Sequence, residues 1–201
     1  YDIEEMKIEE DVTHAWYKGE KPLQPYEGVT EPEYTGFVDG ETVNGKAKVI
    51  DGKDKYSWVK APRYDKEPAE VGPLSCLLVN YVRGNEKVQK AVNDFLKQTG
   101  LPLEALFTTL GRTAARMLQT KLVSDNAIIT FNSLVENLKS DDSTYTKFER
   151  DPNTEYKGRL IGEVPRGTLS HWVRIENGLI ENYQAVVPTT WNAGPMDANA
   201  K

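Results

Sequence analysis

A single cysteine, Cys76, stands in a chain of 201 residues, which excludes an internal disulfide and every zinc or iron-sulfur pattern built from several cysteines. Histidine is nearly as scarce: His14 and His171 are the only two, too few to complete a metal site by themselves. No apolar run approaches the roughly 20 residues needed to cross a bilayer. The opening Tyr1-Asp2-Ile3-Glu4-Glu5 has neither the basic nor the apolar region of a secretory signal. Excess positive charge is missing too, and a net charge of -6 gives no field to attract a phosphate backbone, so nucleic-acid partners are set aside. Internal repeats and low-complexity stretches are also absent. What remains is a polar chain, 28% charged and 38% hydrophobic, long enough to bury a core and expected to carry long polar loops. With no Met at position 1 and no signal after Asp197-Ala198-Asn199-Ala200-Lys201, the expectation is a mature chain or an excised segment.

Period and punctuation divide the chain into three regions. Residues 1–68 collect Pro22, Pro25, Gly28, Pro32, Gly36, Gly40, Gly45 and Gly52 between short runs such as Ala47–Val49 and Tyr56–Val59, which predicts short strands and long loops. Residues 69–140 are helical. Pro73 suits a first helical position, Leu74, Leu77, Leu78, Tyr81 and Val82 recur with helical spacing, and Gly84 stops the run. Asn85 caps a second helix, with Val88, Ala91, Val92, Phe95 and Leu96 on its buried face and its end at Thr99-Gly100. A third helical stretch opens at Pro102 and keeps its period from Leu103 through Leu138, with Asp125-Asn126 as a candidate break. Residues 141–201 begin as a polar segment reaching Lys157, then change to a period of two. Leu169, His171, Val173 and Ile175 alternate against Ser170, Trp172, Arg174 and Glu176, and Asn177-Gly178 suits a type I′ turn. The return strand runs from Leu179 to about Val187, ended by Pro188. The predicted class is α+β: amphipathic helices packed with short antiparallel strands and a C-terminal β-hairpin.

Few residues carry chemistry by themselves. Pro165-Arg166-Gly167 sets an arginine between a residue of fixed φ and one free of the usual steric limits, which can hold a guanidinium rigidly where other backbone approaches. Alone, the tripeptide reads as a surface turn whose arginine pairs with a carboxylate. Val186 to Asn192 likewise reads as a strand end with Thr189 and Thr190 capping backbone groups. His171 on an alternating strand face is a structural histidine, and His14 has no assigned role. Cys76, beside an apolar helical stripe, is a small buried thiol. Arg112 and Arg116, at i and i+4, form a solvated or ion-paired stripe.

The order of the motifs is more specific than any one of them. Val12-Thr13-His14-Ala15-Trp16-Tyr17 comes first, then Tyr56 to Tyr64, Glu70-Val71-Gly72-Pro73-Leu74, Leu110 to Arg116, Glu163 to Gly167, and Asn182 to Asn192. This series resembles the C-terminal half of the large subunit of nickel-iron uptake hydrogenases, from about residue 8 to residue 198. It departs from that family's pattern at Cys76 and Gln119.

The resemblance implies a parent enzyme that oxidises H2 reversibly to protons and electrons at a nickel-iron centre with carbonyl and cyanide ligands, held by two Cys-x-x-Cys motifs. Neither motif is present, so the chain is expected to be an interior piece that is inactive alone, supplies no nickel or iron ligand and holds no cofactor. By resemblance Arg166 covers the open side of the metals, where its permanently charged fork can donate to an iron cyanide. Pro165 fixes its approach, and Thr189 matches the position that donates to the second cyanide. Val164, Leu169, Val187 and Pro188 match the apolar wall around the carbonyl, and the Ala185 backbone carbonyl matches part of a hard-cation site completed elsewhere. Implied partners are the rest of the large subunit, an iron-sulfur small subunit and H2. The implied location is bacterial, periplasmic or membrane-associated through the small subunit. The alternative is a metal-free truncated homologue that serves assembly or protein binding.

Overall fold

The computed structural model describes residues 3–35, 55–147, 149 and 151–199. The run Ala47–Val49 and the turn glycines Gly36, Gly40, Gly45 and Gly52 lie outside the described residues. The chain forms two compact units, one of residues Tyr1–Val71 with Asp151–Lys201, the other of Gly72–Arg150. The first and last regions read from the sequence therefore share one unit. The architecture is α+β.

In the first unit, strands β1 (Ile8–Asp11) and β2 (Ala61–Tyr64) pair antiparallel, Ile8 opposite Tyr64 and Asp11 opposite Ala61. A separate antiparallel sheet has the order β3 (Tyr156–Val164), β4 (Gly167–Glu176), β5 (Leu179–Val186). The β4–β5 hairpin turns at Asn177 and Gly178, with φ of 52° and 75°, as the Asn-Gly dipeptide predicts for a type I′ turn. Strand β3 was not foreseen, because its first residues fall in the segment read as polar loop. The alternation along β4 holds, and Ser170 and Trp172 are the residues that face inward. Trp172 is 0% exposed, meets the Tyr26 ring edge-on at 4.9 Å and gathers Ile8, Tyr26 and Val186 into one core. Its indole N–H donates to Ser170 Oγ at 2.9 Å, so burial leaves no polar atom of the ring unpaired. Pro188 ends the ladder as expected and opens a short helix, α4 (Pro188–Ala193).

The second unit is helical. Helix α1 (Pro73–Val82) starts on Pro73, and the chain turns at Gly84 with φ of 80°. Helix α2 (Glu86–Thr99) begins under an Asn85 side-chain cap that accepts from the Val88 N–H at 3.2 Å, and ends at a left-handed Gly100. The third stretch differs from expectation in two ways. Leu103–Phe107 is a 3-10 turn, and the α-helix proper, α3 (Thr109–Asn137), starts under Thr108, whose Oγ accepts from Gly111 N at 3.0 Å. Asp125-Asn126 does not interrupt α3, since Lys121 pairs with Asp125 and Thr130 Oγ1 donates to the Asn126 carbonyl at 3.1 Å. Leu74, Leu77, Val88, Val92, Leu106 and Ala115 form the core of this unit. Gly111 makes the packing possible: a Cβ there would lie 2.2 Å from the Ala105 carbonyl oxygen.

Candidate active-site cover

The β3–β4 connection is as short as a hairpin allows. Val164 pairs with Gly167, leaving only Pro165 and Arg166 in the turn. Proline pre-sets φ for the first turn position. Gly167, buried and at φ of 136°, occupies backbone space that side-chain-bearing residues rarely enter. Arg166 is therefore carried at the tip of two paired strands, and both turn residues are exposed. No described residue hydrogen-bonds to or ion-pairs with its guanidinium, so the carboxylate partner of an ordinary surface turn is missing among the described residues.

Thr189 arrives at the same end of the sheet by another route. Val186, the last residue of β5, sits opposite Ser170. Gly167 precedes Ser170 by three residues and Thr189 follows Val186 by three, so the turn tip and the start of α4 both lie beyond that pair at the same end of the sheet. Helix α4 packs against β4 and β2. Thr190 rather than Thr189 closes the helix start, its Oγ1 donating to the Val187 carbonyl at 2.6 Å. The exposed Thr189 hydroxyl has no hydrogen-bond partner among the described residues. Val164 and Val187 are half-buried, and Pro188 is buried. The sheet thus gathers Val164, Pro165, Arg166, Val187, Pro188 and Thr189 at one end. Leu169, paired with Gly162, and Ala185, paired with His171, lie one step to either side of the Ser170–Val186 pair, on the face away from Trp172.

A buried polar network fixes β5 just before this end. Gln184 Nε2 donates to the Gly28 carbonyl at 2.9 Å, and Gln184 Oε1 accepts from Thr30 Oγ1 at 2.9 Å and from Lys60 Nζ at 3.1 Å. Asn182 Nδ2 donates to the carbonyls of Tyr26 and Gly28 at 2.8 and 3.0 Å. Lys60 Nζ lies 3.9 Å from Glu10 Oε2, and both side chains are almost fully buried. Burial pushes the Glu10 carboxyl above its usual range while Lys60 partly opposes the shift; burial pulls the Lys60 ammonium down, opposed by Glu10. A second buried pair, Arg63 Nε to Asp197 Oδ2 at 2.7 Å, ties the C-terminal segment to β2. Glu10, Lys60 and Asp197 were not singled out by their sequence setting. The only local signal was Lys60 and Arg63 on either side of Ala61-Pro62, two cations flanking apolar residues.

His171 Nδ1 lies 2.6 Å from Tyr183 Oη, a structural partnership in line with its place on the strand, and His14 is buried against Tyr56. Cys76 is half-buried, and its carbonyl accepts from Asn80 Nδ2 at 2.8 Å. Arg112 donates to the Phe107 carbonyl, which binds it to the 3-10 turn. Among the described residues no group of three or more His, Cys, Asp and Glu side chains could hold a metal ion.

A family profile described as nickel-dependent hydrogenase matches residues 1–201. The chain belongs to the nickel-dependent hydrogenase family. It is 60% identical over 204 residues to the quinone-reactive Ni/Fe-hydrogenase large chain of Wolinella succinogenes, a match that covers 99% of this chain and 35% of that one. With the uptake hydrogenase large subunit of Rhizobium leguminosarum bv. viciae it shares 42% identity, over 95% of this chain and 33% of the relative. Among solved hydrogenases, the Ni-Fe-Se enzyme of D. vulgaris Hildenborough in the reduced state superposes with a TM-score of 0.70 at 29% identity, covering 99% of this chain and 38% of that one. The [NiFeSe]-hydrogenase of Dm. baculatum gives 0.69 at 28%, covering 100% and 38%. The chain spans about a third of the length of the hydrogenase large chains it matches. No helix of the described residues is long and apolar enough to cross a membrane.

Proposed function

We propose that these residues serve as the cover of the metal centre in a hydrogenase large chain, inactive by themselves and completed by the rest of that chain and an iron-sulfur small subunit. The observation that supports this reading is the strand register, which brings to one sheet end an exposed guanidinium and an exposed hydroxyl that no described residue engages, next in sequence to apolar residues. When bound, a nickel-iron centre with carbonyl and cyanide ligands would supply the chemistry that cleaves H2. This chain's donor set fits the surroundings of such a centre rather than its ligation, because it offers N–H and O–H donors and no paired thiolates.

Within that assembly the Arg166 guanidinium would donate to a cyanide ligand of the centre and would keep a fixed positive charge beside the reacting site. The two-residue turn holds that charge in place without further ordering at the moment of reaction. The Thr189 hydroxyl would donate to the second cyanide. Val164, Leu169, Val187 and Pro188 keep water from the carbonyl side, and the Ala185 backbone carbonyl offers an oxygen to a hard cation completed by residues elsewhere. In this reading the assembly is periplasmic or membrane-associated through the small subunit. The test is Arg166→Lys in the complete enzyme. A lysine keeps the charge but not the planar fork, so turnover falls on the order of 100-fold or more while nickel and iron content stay unchanged. Undiminished H2 oxidation in that variant removes Arg166 from the mechanism.

A further inference from the structure

The hairpin that carries Arg166 has few side chains with which to hold its tip together. Antiparallel strands are stabilised largely by side chains that meet across the ladder. Counted from the turn, the pairs of β3 and β4 are Val164 with Gly167, Glu163 with Thr168, Gly162 with Leu169 and Ile161 with Ser170. Glycine empties one side of the first pair and one side of the third. Glu163 and Thr168 are therefore the only directly opposed side chains within three pairs of the turn. They are joined: Thr168 Oγ1 donates to Glu163 Oε2 at 3.3 Å, and both residues are half-buried.

A carboxylate is an uncommon choice for that place. By alternation Glu163 lies on the same face as Ile161, which packs against the core around Trp172, and glutamate is depleted in strands. Its other oxygen, Oε1, is buried. Taking a carboxylate oxygen out of water costs free energy that a branched apolar residue at the same position would not incur. What the polar pair adds is direction. Apolar contact is non-directional, whereas a hydrogen bond sets both a separation and an angle between the two strands just behind the turn.

We infer that Glu163 and Thr168 are positioning residues for Arg166, their bond fixing the splay of the hairpin tip and so the place from which the guanidinium is presented. The inference rests on the proposed reading of Arg166 as the cover of a metal centre. Both residues act through the turn, not on the reacting atoms.

The experiment uses the complete large chain with its small subunit. Thr168→Val keeps the side chain's shape and removes its hydroxyl, Thr168→Ser keeps the hydroxyl, and Glu163→Gln keeps an oxygen that can accept from it. The readouts are amide hydrogen exchange of the peptide spanning residues 163–168, the infrared bands of the cyanide ligands, and H2 oxidation. In Thr168→Val exchange quickens, a cyanide band moves and turnover falls about tenfold with nickel and iron content unchanged, while Thr168→Ser and Glu163→Gln stay close to the parent. Should Thr168→Val fail to fold, Glu163→Asp, whose shorter side chain withdraws the acceptor, shows the same three changes. Parent-like exchange or unmoved bands in the variant that lacks the bond overturn the inference. So does a Glu163→Gln enzyme as impaired as Thr168→Val, because charge and not the bond would then be the cause. Arg166→Lys keeps the two readings apart: if it leaves bands and turnover untouched, the cover reading falls, whereas a silent Thr168→Val beside an impaired Arg166→Lys removes only the positioning role.

Discussion

Breaking the buried pair of Arg63 and Asp197 is the sharpest test of how the first unit holds together. Arg63 Nε and Asp197 Oδ2 are 2.7 Å apart, with side chains 6% and 4% exposed. Arg63 also donates from Nη1 to the Pro62 carbonyl at 2.8 Å, and Asp197 Oδ1 accepts from the Asn199 N–H at 2.8 Å. Asp197→Asn removes the charge that faces the buried guanidinium. Loss of one partner of a buried pair costs about 3–5 kcal/mol, most of it the desolvation of the ion left behind. For a chain of this size that corresponds to a fall in Tm of roughly 6–20 °C. The assay follows from where the tryptophans are: Trp16, Trp58, Trp172 and Trp191 all belong to the first unit. Intrinsic tryptophan fluorescence therefore reports that unit selectively, in heat or in urea. The double variant Arg63→Met with Asp197→Leu removes both ions, and its loss is smaller than that of either single change. An Asp197→Asn transition within about 1 kcal/mol of the parent, the worth of an exposed pair, or a double variant whose loss is the sum of the singles, refutes the reasoning.

Two further outcomes follow. Gly111→Ala forces a methyl group into the Ala105 carbonyl and the Leu106 backbone, 2.2 and 2.4 Å away, so the helical unit loses about 1–3 kcal/mol or more despite alanine's better helix propensity; an unchanged far-UV melting transition contradicts the close approach. Glu10 has a folded pKa raised above its ordinary 4.5, chiefly by burial, so the folded state holds this proton more tightly than the unfolded one. Its stabilising contribution is complete below about that ordinary value and is lost as pH rises through the raised one. Relative to Glu10→Gln, the parent loses stability as pH rises above about 4.5 by tryptophan fluorescence, and a pH-independent difference rejects the assignment.

Strong periodicity was legible wherever one face is buried and the other wet. Helix α2 shows this best, since Val88 and Val92 are buried, its cap is Asn85 and its stop is Gly100. The Asn177-Gly178 turn was equally readable, because few residue pairs adopt two successive positive φ values. Strand β3 escaped notice because Lys157, Gly158, Arg159 and Gly162 break its alternation, and an edge strand with half-exposed faces has no need of it. The inward face of β4 was ambiguous since apolar residues stand on both sides, and only the fit of Trp172 against Tyr26 settles it. At the candidate site, Pro165-Arg166-Gly167 was legible as a rigid turn, but its place at the same sheet end as Thr189 comes from the registers of β3 with β4 and of β4 with β5. The Glu10–Lys60–Gln184 network bonds Lys60 to Gln184 across 124 positions, and no local pattern encodes such a meeting.

The three-stranded sheet has two unlike ends. At one, a ladder closed by two residues leaves the arginine no slack, so its location is inherited from strand pairing, and a one-residue slip would turn every side chain of the hairpin to the opposite face. At the other, Asn177 and Gly178 are exposed, with open space around the glycine's missing Cβ. Lengthening or regrafting that far loop leaves the pairing beneath it intact, which makes it the natural place to attach a label or an affinity handle.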